Sequence, residues 1–158
     1  MKKYNIQNYI RYKNDVEAAI KRLPNLPLDS YTREQLTIKF LPLIENIARK
    51  FSTSQQASGV MTILDLIQSG SLGLIQAVKK LDYEKLKESE DMEKTLKSFF
   101  SKRIKGSIRR QIDTNRGNIR IPEHKLNEIR KNFGKDKKMV EMFFNSVFLS
   151  IDANPNNE

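Results

Sequence analysis

Five apolar residues, Leu96, Phe100, Ile104, Ile108 and Ile112, recur every four positions in the stretch from about Lys94 to Thr114. At about 100° per residue they make one stripe along an α-helix, and a helix with such a stripe must bury it against other elements. The face across from the stripe is just as constrained. Lys102, Arg103, Gly106, Arg109 and Arg110 lie three, four, seven, ten and eleven positions after Phe99 and share that face with its ring. One aromatic side chain stands there among four cations.

The same helical spacing recurs along the chain, and no long alternating run argues for a sheet. The expected fold is therefore all-α, a compact helical bundle with short flanking helices. A first helix over about Ile6 to Leu23 would turn Ile6, Ile10, Val16, Ala19, Ile20 and Leu23 inward, and Pro24 and Pro27 would end it. Thr32 with Gln35 is a capping-box start, followed by Leu36, Phe40, Leu43, Ile44, Ile47, Ala48 and Phe51, a run that Pro42 should kink. Ser52 to Gly59 reads as a polar loop. Thr62 and Asp65 can cap the next helix, which carries Leu64, Ile67, Leu74, Ile75, Val78 and Leu81. Gly70 and Gly73 lie inside it at a cost of roughly 1 kcal/mol each relative to alanine, which implies that another backbone packs closely there. Tyr83 to Glu93 reads as a solvated connection. After the striped helix, Asn115 to Asn118 breaks the chain, and Ile121 with Pro122 opens a helix that turns Leu126, Ile129 and Phe133 inward before Gly134. A last apolar segment, Met139 to Leu149, precedes a polar tail from Asp152.

Charge narrows the partners. With 29 Lys and Arg against 19 Asp and Glu, the net charge of +10 attracts polyanions, of which nucleic acid is the commonest and an anionic membrane surface the rival. No apolar run approaches the length of a bilayer span, and the N-terminus leads into a polar helix rather than a signal-peptide core. The chain is expected in the cytoplasm, with no membrane partner. It holds no cysteine, and its one histidine, His124, stands beside Glu123 and Lys125 just after Pro122, where an exposed first-turn position is expected. Disulfides, thiolate zinc sites and cysteine nucleophiles are excluded, and no triad or phosphate loop is visible. A non-enzymatic role without a cofactor follows as the expectation.

A charge run on a helix is ordinarily a solvated surface. On the Phe99 face, however, no acid compensates until Asp113, and Arg116 and Arg120 extend the positive potential. This favours nucleic-acid contact, with the cations neutralising phosphates and Phe99 stacking on an unpaired base.

Three stretches, in this order, resemble domain 2 of the sigma-70 family of bacterial transcription initiation factors. Phe40 to Phe51, ending in Ile47-Ala48-Arg49-Lys50-Phe51, is similar to the family's first helix. Leu64-Asp65-Leu66-Ile67-Gln68-Ser69-Gly70-Ser71-Leu72-Gly73-Leu74-Ile75-Gln76-Ala77-Val78 resembles the helix that grips the coiled coil of the polymerase clamp, the most specific match in the chain. Asn118-Ile119-Arg120-Ile121-Pro122-Glu123-His124 is similar to the signature that follows the promoter-melting helix. Together they cover about Asp29 to Lys131.

The resemblance implies docking on core RNA polymerase, through the clamp coiled coil of the largest, beta-prime-type subunit, with Asp65, Gln68, Ser69, Ser71 and Ile75 as contact positions. Asp65 can cap its helix as well as dock. The family usually has Glu where Ser69 stands and Asn where Ser71 stands, so this edge lacks a charge and an amide. The resemblance also implies promoter opening. Phe99 falls where the family has the aromatic residue that stacks on the flipped-out adenine of the minus-ten element, on the non-template strand. Lys102 and Arg103 replace the tryptophan pair that wedges the upstream duplex edge. Gly106 and Arg109 replace the polar pair that reads the upstream base, while Arg110, Arg116 and Arg120 add positive charge.

The implied organisation is an N-terminal helix and linker over 1–28, the domain 2-like unit over 29–122, and a remnant of the third domain with a polar tail over 123–158. Phe148 to Asp152 resembles the start of the family's finger segment. Upstream recognition is then expected from a partner such as a co-activator, from an activator, or not at all. The compact sigma factors of bacteriophages, some of which serve late genes with a separate co-activator, are the nearest analogy. Two other readings stay open: a regulator or decoy that occupies the clamp without initiating, and a free-standing basic helical RNA- or DNA-binding module.

Overall fold

A computed structural model describes residues 3–52, 61–115, 120–132, 135–138 and 141. Every regular element among them is a helix, as the periodicity requires: α1 (Lys3–Lys21), α2 (Arg33–Lys39), α3 (Leu41–Phe51), α4 (Ile63–Lys79), α5 (Tyr83–Lys87), α6 (Met92–Asn115) and α7 (Glu123–Lys131), with a 3₁₀ turn at Leu28–Ser30. Phe133 and the last apolar segment, apart from Glu141, lie outside the described residues, as does the tail.

The largest interface is between α4 and α6, and α3 lies against both. The stripe on α6 is the centre of this packing: Leu96, Phe100, Ile104 and Ile108 are fully buried, and Ile112 nearly so. They meet Ile44 and Ile47 of α3 and Leu66, Ile67, Leu74 and Val78 of α4 in one core. Phe100 also sets its ring edge-on against Phe40, centroids 5.0 Å apart. Burying side chains of this size contributes roughly 1.5–3 kcal/mol each, which is why the four-residue repeat dominates the fold.

The glycines of α4 sit where that packing is tightest. A Cβ on Gly70 would stand 2.6 Å from Cγ2 of Ile44, and one on Gly73 would stand 2.7 Å from Cβ of Ser107. Close approach of neighbouring helices, anticipated from the two glycines, is thus realised on both sides of α4.

Both capping boxes form. Thr32 Oγ1 accepts from the Gln35 amide at 3.2 Å while Gln35 Oε1 accepts from the Thr32 amide at 3.1 Å. At the start of α4, Asp65 Oδ2 accepts from the Thr62 amide and from its hydroxyl, both at 2.8 Å.

The structure departs from the expected elements in three places. The run over Leu36 to Phe51 is broken rather than kinked: α2 stops at Phe40, whose backbone (φ −98°, ψ 6°) leaves the helix, and α3 restarts with Pro42 in its first turn, where a missing amide costs nothing. The connection after α4 is not merely solvated, since it folds into the short α5 and buries Leu86. Lastly, the first turns of α1 depart from the expected face, while Val16, Ala19, Ile20 and Leu23 are partly buried as expected. Ile6 and Ile10 are 43% and 51% exposed, while Tyr9 and Tyr12 pack on the core. A tyrosine ring has as much apolar surface to bury as an isoleucine, and its hydroxyl needs a partner; Tyr9 donates to Glu45 Oε1 of α3 at 2.5 Å.

Candidate nucleic-acid interface and docking edge

Because a four-residue repeat drifts slowly around the helix, burying it leaves the far side of α6 facing solvent along the middle of its length. Lys102, Arg103, Gly106, Arg109 and Arg110 are all exposed there. Among the described residues, Lys102, Arg103, Arg109 and Arg110 have no acidic partner within ion-pair distance. Asp113, the first acid after them, is held by Arg130 of α7 instead. Arg120 is exposed just ahead of α7, as is His124 in its first turn; Arg116 lies outside the described residues.

Phe99 is not offered as a bare ring. It is half-buried, with its centroid 5.7 Å from that of Phe100 in an edge-on arrangement, and the guanidinium of Arg103 lies 3.7 Å above its centroid. An arginine one turn along a helix is placed for this contact, which supplies roughly 0.5–1 kcal/mol at an exposed site. Phe99 also lines a cleft of about 300 Å³ together with Leu81, Asp82, Leu86 and Thr95.

The exposed edge of α4 carries Gln68, Leu72, Ile75 and Gln76. Leu72, 56% exposed, and Ile75, 40% exposed, are large apolar residues left open to solvent. Leu72 is absent from the docking set read from sequence, although it stands four residues after Gln68 and three before Ile75. Ser69, placed in that set, is instead 7% exposed, and its hydroxyl donates to the Asp65 carbonyl at 2.7 Å. Its position one step off the exposed edge turns it toward α6. Ser71 is half-buried and bonds back to the Ile67 carbonyl at 2.8 Å. Asp65 is half-buried, with one carboxylate oxygen committed to its own helix cap.

The two candidate surfaces meet. A groove of about 470 Å³ runs between α4 and α6, with Leu72, Gln76 and Lys80 on one bank and Lys102, Arg103 and Arg110 on the other. An adjoining recess of about 420 Å³ contains Asp65, Gln68 and Leu72 along with Asn115. Leu72 and Gln111 line both hollows. Lys80 and Gln111 are therefore additions to the residues read from sequence. Helical-wheel reasoning treats each helix alone and does not show which faces become neighbours.

The chemistry on display is cationic attraction, an aromatic face and an apolar-polar edge. Among the described residues no group of three or more His, Cys, Asp or Glu is placed to hold a metal ion, and no helix is long and apolar enough to cross a membrane.

No protein-family model matches the chain. Compared with curated proteins, it is 32% identical over 114 residues, 72% of its length, to the RNA polymerase sigma factor SigA of Clostridium acetobutylicum. The match covers 27% of that protein, so the chain spans only about a quarter of the relative it resembles. This supports a sigma-factor-like relationship for the chain.

Proposed function

We propose that this chain is a non-enzymatic, sigma-type specificity subunit that docks on core RNA polymerase by the exposed edge of α4 and engages promoter DNA at a minus-ten-like element through α6. The observation that carries the reading is the edge formed by Gln68, Leu72 and Ile75. It exposes apolar surface on the helix whose sequence resembles a polymerase-docking element, and it borders a groove lined by cations that have no acidic partner among the described residues. The likeness to SigA over most of the chain supports the same assignment.

On this reading the clamp coiled coil of the beta-prime-type subunit covers Gln68, Leu72 and Ile75, with Asp65 at the margin. The non-template strand runs along the face of Lys102, Arg103, Gly106, Arg109 and Arg110, and Phe99 receives an unpaired base. Unstacking a base costs a few kcal/mol, of which aromatic stacking returns roughly 1–3 kcal/mol. Phosphate contacts supply the remainder, so binding weakens steeply with salt.

The test is retention of matching core polymerase by the purified chain at low salt, comparing the natural sequence with Gln68→Ala. Retention by the natural chain and its weakening in the variant support docking. A natural chain that retains no polymerase at low salt removes the reading, and one that retains it regardless of Gln68 points to a different surface.

The cover on Phe99 favours a second reading, a clamp-occupying regulator that does not initiate. Run-off transcription and start-site mapping separate the two: an initiating subunit creates new starts, whereas a regulator only depresses existing ones.

A further inference from the structure

Arg103 stands where two ligands compete for it. Its guanidinium rests 3.7 Å above the Phe99 centroid, the separation of two planes in contact, so a base cannot enter on that side while Arg103 stays. The same side chain borders the groove between α4 and α6. Lys80, Lys102 and Arg110 line that groove with it, and no acidic side chain among the described residues does.

An anion in the groove meets a guanidinium whose present partner is a partly exposed ring. A guanidinium–phosphate contact is charge-assisted and bidentate, and it outcompetes a cation–π contact open to solvent. Lys80, the C-terminal cap of α4, brings a cation to this groove from the helix that carries the docking edge.

Resting on the reading that α6 engages nucleic acid, we propose that Arg103 is a phosphate-operated cover on Phe99. The backbone of a single strand entering the groove draws the guanidinium off the ring and so frees the face on which a base then stacks. Phosphate capture precedes base capture, and Lys80, Lys102 and Arg110 form the site that senses the strand. Until a strand arrives, the face of the ring under Arg103 is shielded from unbound bases.

The experiment is an NMR titration of the full chain at low salt with an abasic deoxyribose-phosphate oligomer, which supplies phosphates and no bases. In the free protein the side-chain protons of Arg103 carry an upfield ring-current shift from Phe99, which Phe99→Leu removes and so assigns. The cover predicts that the abasic strand binds and returns these protons toward their unshifted positions, and that Lys80→Ala combined with Lys102→Ala suppresses both effects. Binding that leaves the ring-current shift intact overturns the proposal, and so does failure of the abasic strand to bind at all. A base-containing strand separates this from the parent reading. If its advantage over the abasic strand survives Phe99→Leu, base stacking on Phe99 is wrong, even where phosphate still moves Arg103.

Discussion

Ser107 of α6 donates its hydroxyl to the main-chain carbonyl of Ser69 in α4 at 2.7 Å. The bond joins the two helices that form the banks of the cationic groove, and it does so beside Gly73, where the missing side chain lets Ser107 come close. Side chain and glycine together set the spacing between the docking edge and the basic face. On the proposed reading, that spacing decides whether Lys80 and Arg110, which line one groove, can reach one strand.

Replacing Gly73 with alanine is therefore expected to destabilise the protein despite alanine's better helix propensity. The new Cβ would stand 2.7 Å from Ser107 Cβ and 3.2 Å from the Arg103 carbonyl, and neither is the free end of a flexible side chain. Overpacking costs of about 1–3 kcal/mol outweigh a propensity gain of up to about 1 kcal/mol, so urea melts should show a net loss of about 1 kcal/mol. Unchanged or raised stability would mean that the helices stand further apart than described.

Gly106 answers in the opposite direction. It lies mid-helix on α6, and a Cβ there meets nothing within 4 Å. Gly106→Ala should stabilise the fold by roughly 0.5–1 kcal/mol through lost freedom in the unfolded chain, read from the same melts. The two glycines make a matched pair, one held in place by packing and one without a packing constraint.

How much of this is legible in the sequence follows from what each signal depends on. The stripe from Leu96 to Ile112 and the caps at Thr32 and Thr62 are local patterns, and all of them appear as read. Gly70 and Gly73 announce close packing correctly, but Gly106, also inside a helix, meets no neighbour, so a helical glycine in the sequence does not by itself show where backbones approach. Where two side chains compete for one face, spacing alone decides poorly. Tyr9 and Tyr12 pack on the core where Ile6 and Ile10 do not: Glu45, distant in sequence, offers the Tyr9 hydroxyl a partner, and Tyr12 buries its ring although its own hydroxyl has none among the described residues. Ser69 turns inward because its place on α4 is one step off the exposed edge, on the side where α6 packs and Ser107 bonds to its carbonyl. The stack of Arg103 on Phe99 is a four-residue pair visible in the sequence, but the groove that competes for Arg103 exists only once α4 is in place.

Leu72 stands at the centre of the proposed docking edge, and its substitution should separate binding from folding. With 56% exposure it contributes little to the core, so Leu72→Asp should change stability by no more than about 0.5 kcal/mol. A central apolar anchor lost from an interface costs about 2 kcal/mol, roughly a 30-fold weaker association with core polymerase. Titration of the two proteins against core in a binding assay measures it. Equal affinities would place the partner elsewhere.

Arg110 should behave as a pure phosphate contact. Removing it with Arg110→Ala is expected to weaken single-strand binding without regard to base sequence. It should also reduce the slope of log affinity against log salt by about 0.7. A loss confined to particular sequences would make Arg110 a reader of bases instead.

Alkaline pH should release α1 before the rest of the bundle, and Tyr12 is the reason. Its hydroxyl is buried without a hydrogen-bond partner among the described residues. Burial, followed by the nearby negative charge of Glu45 and then Tyr9, pushes its pKa up to about 12 from an ordinary 10.0. Tyr9 is raised in the same direction, by burial first and then by its bond to Glu45. Below pH 10 both the folded and unfolded chains keep the Tyr12 proton, and its contribution to stability is fully present. Between pH 10 and about 12 the unfolded chain gives up the proton while the folded one retains it, so unfolding is increasingly favoured as pH rises. Tyr12→Phe removes both this alkaline penalty and an unsatisfied buried hydroxyl. The variant should equal or exceed the natural chain by up to about 1 kcal/mol at pH 8, and the gap should widen steadily above pH 10. Stability curves for the two proteins measured across that range decide the matter: a gap that stays constant with pH would show that Tyr12 titrates alike in both states and that α1 does not seal it from water.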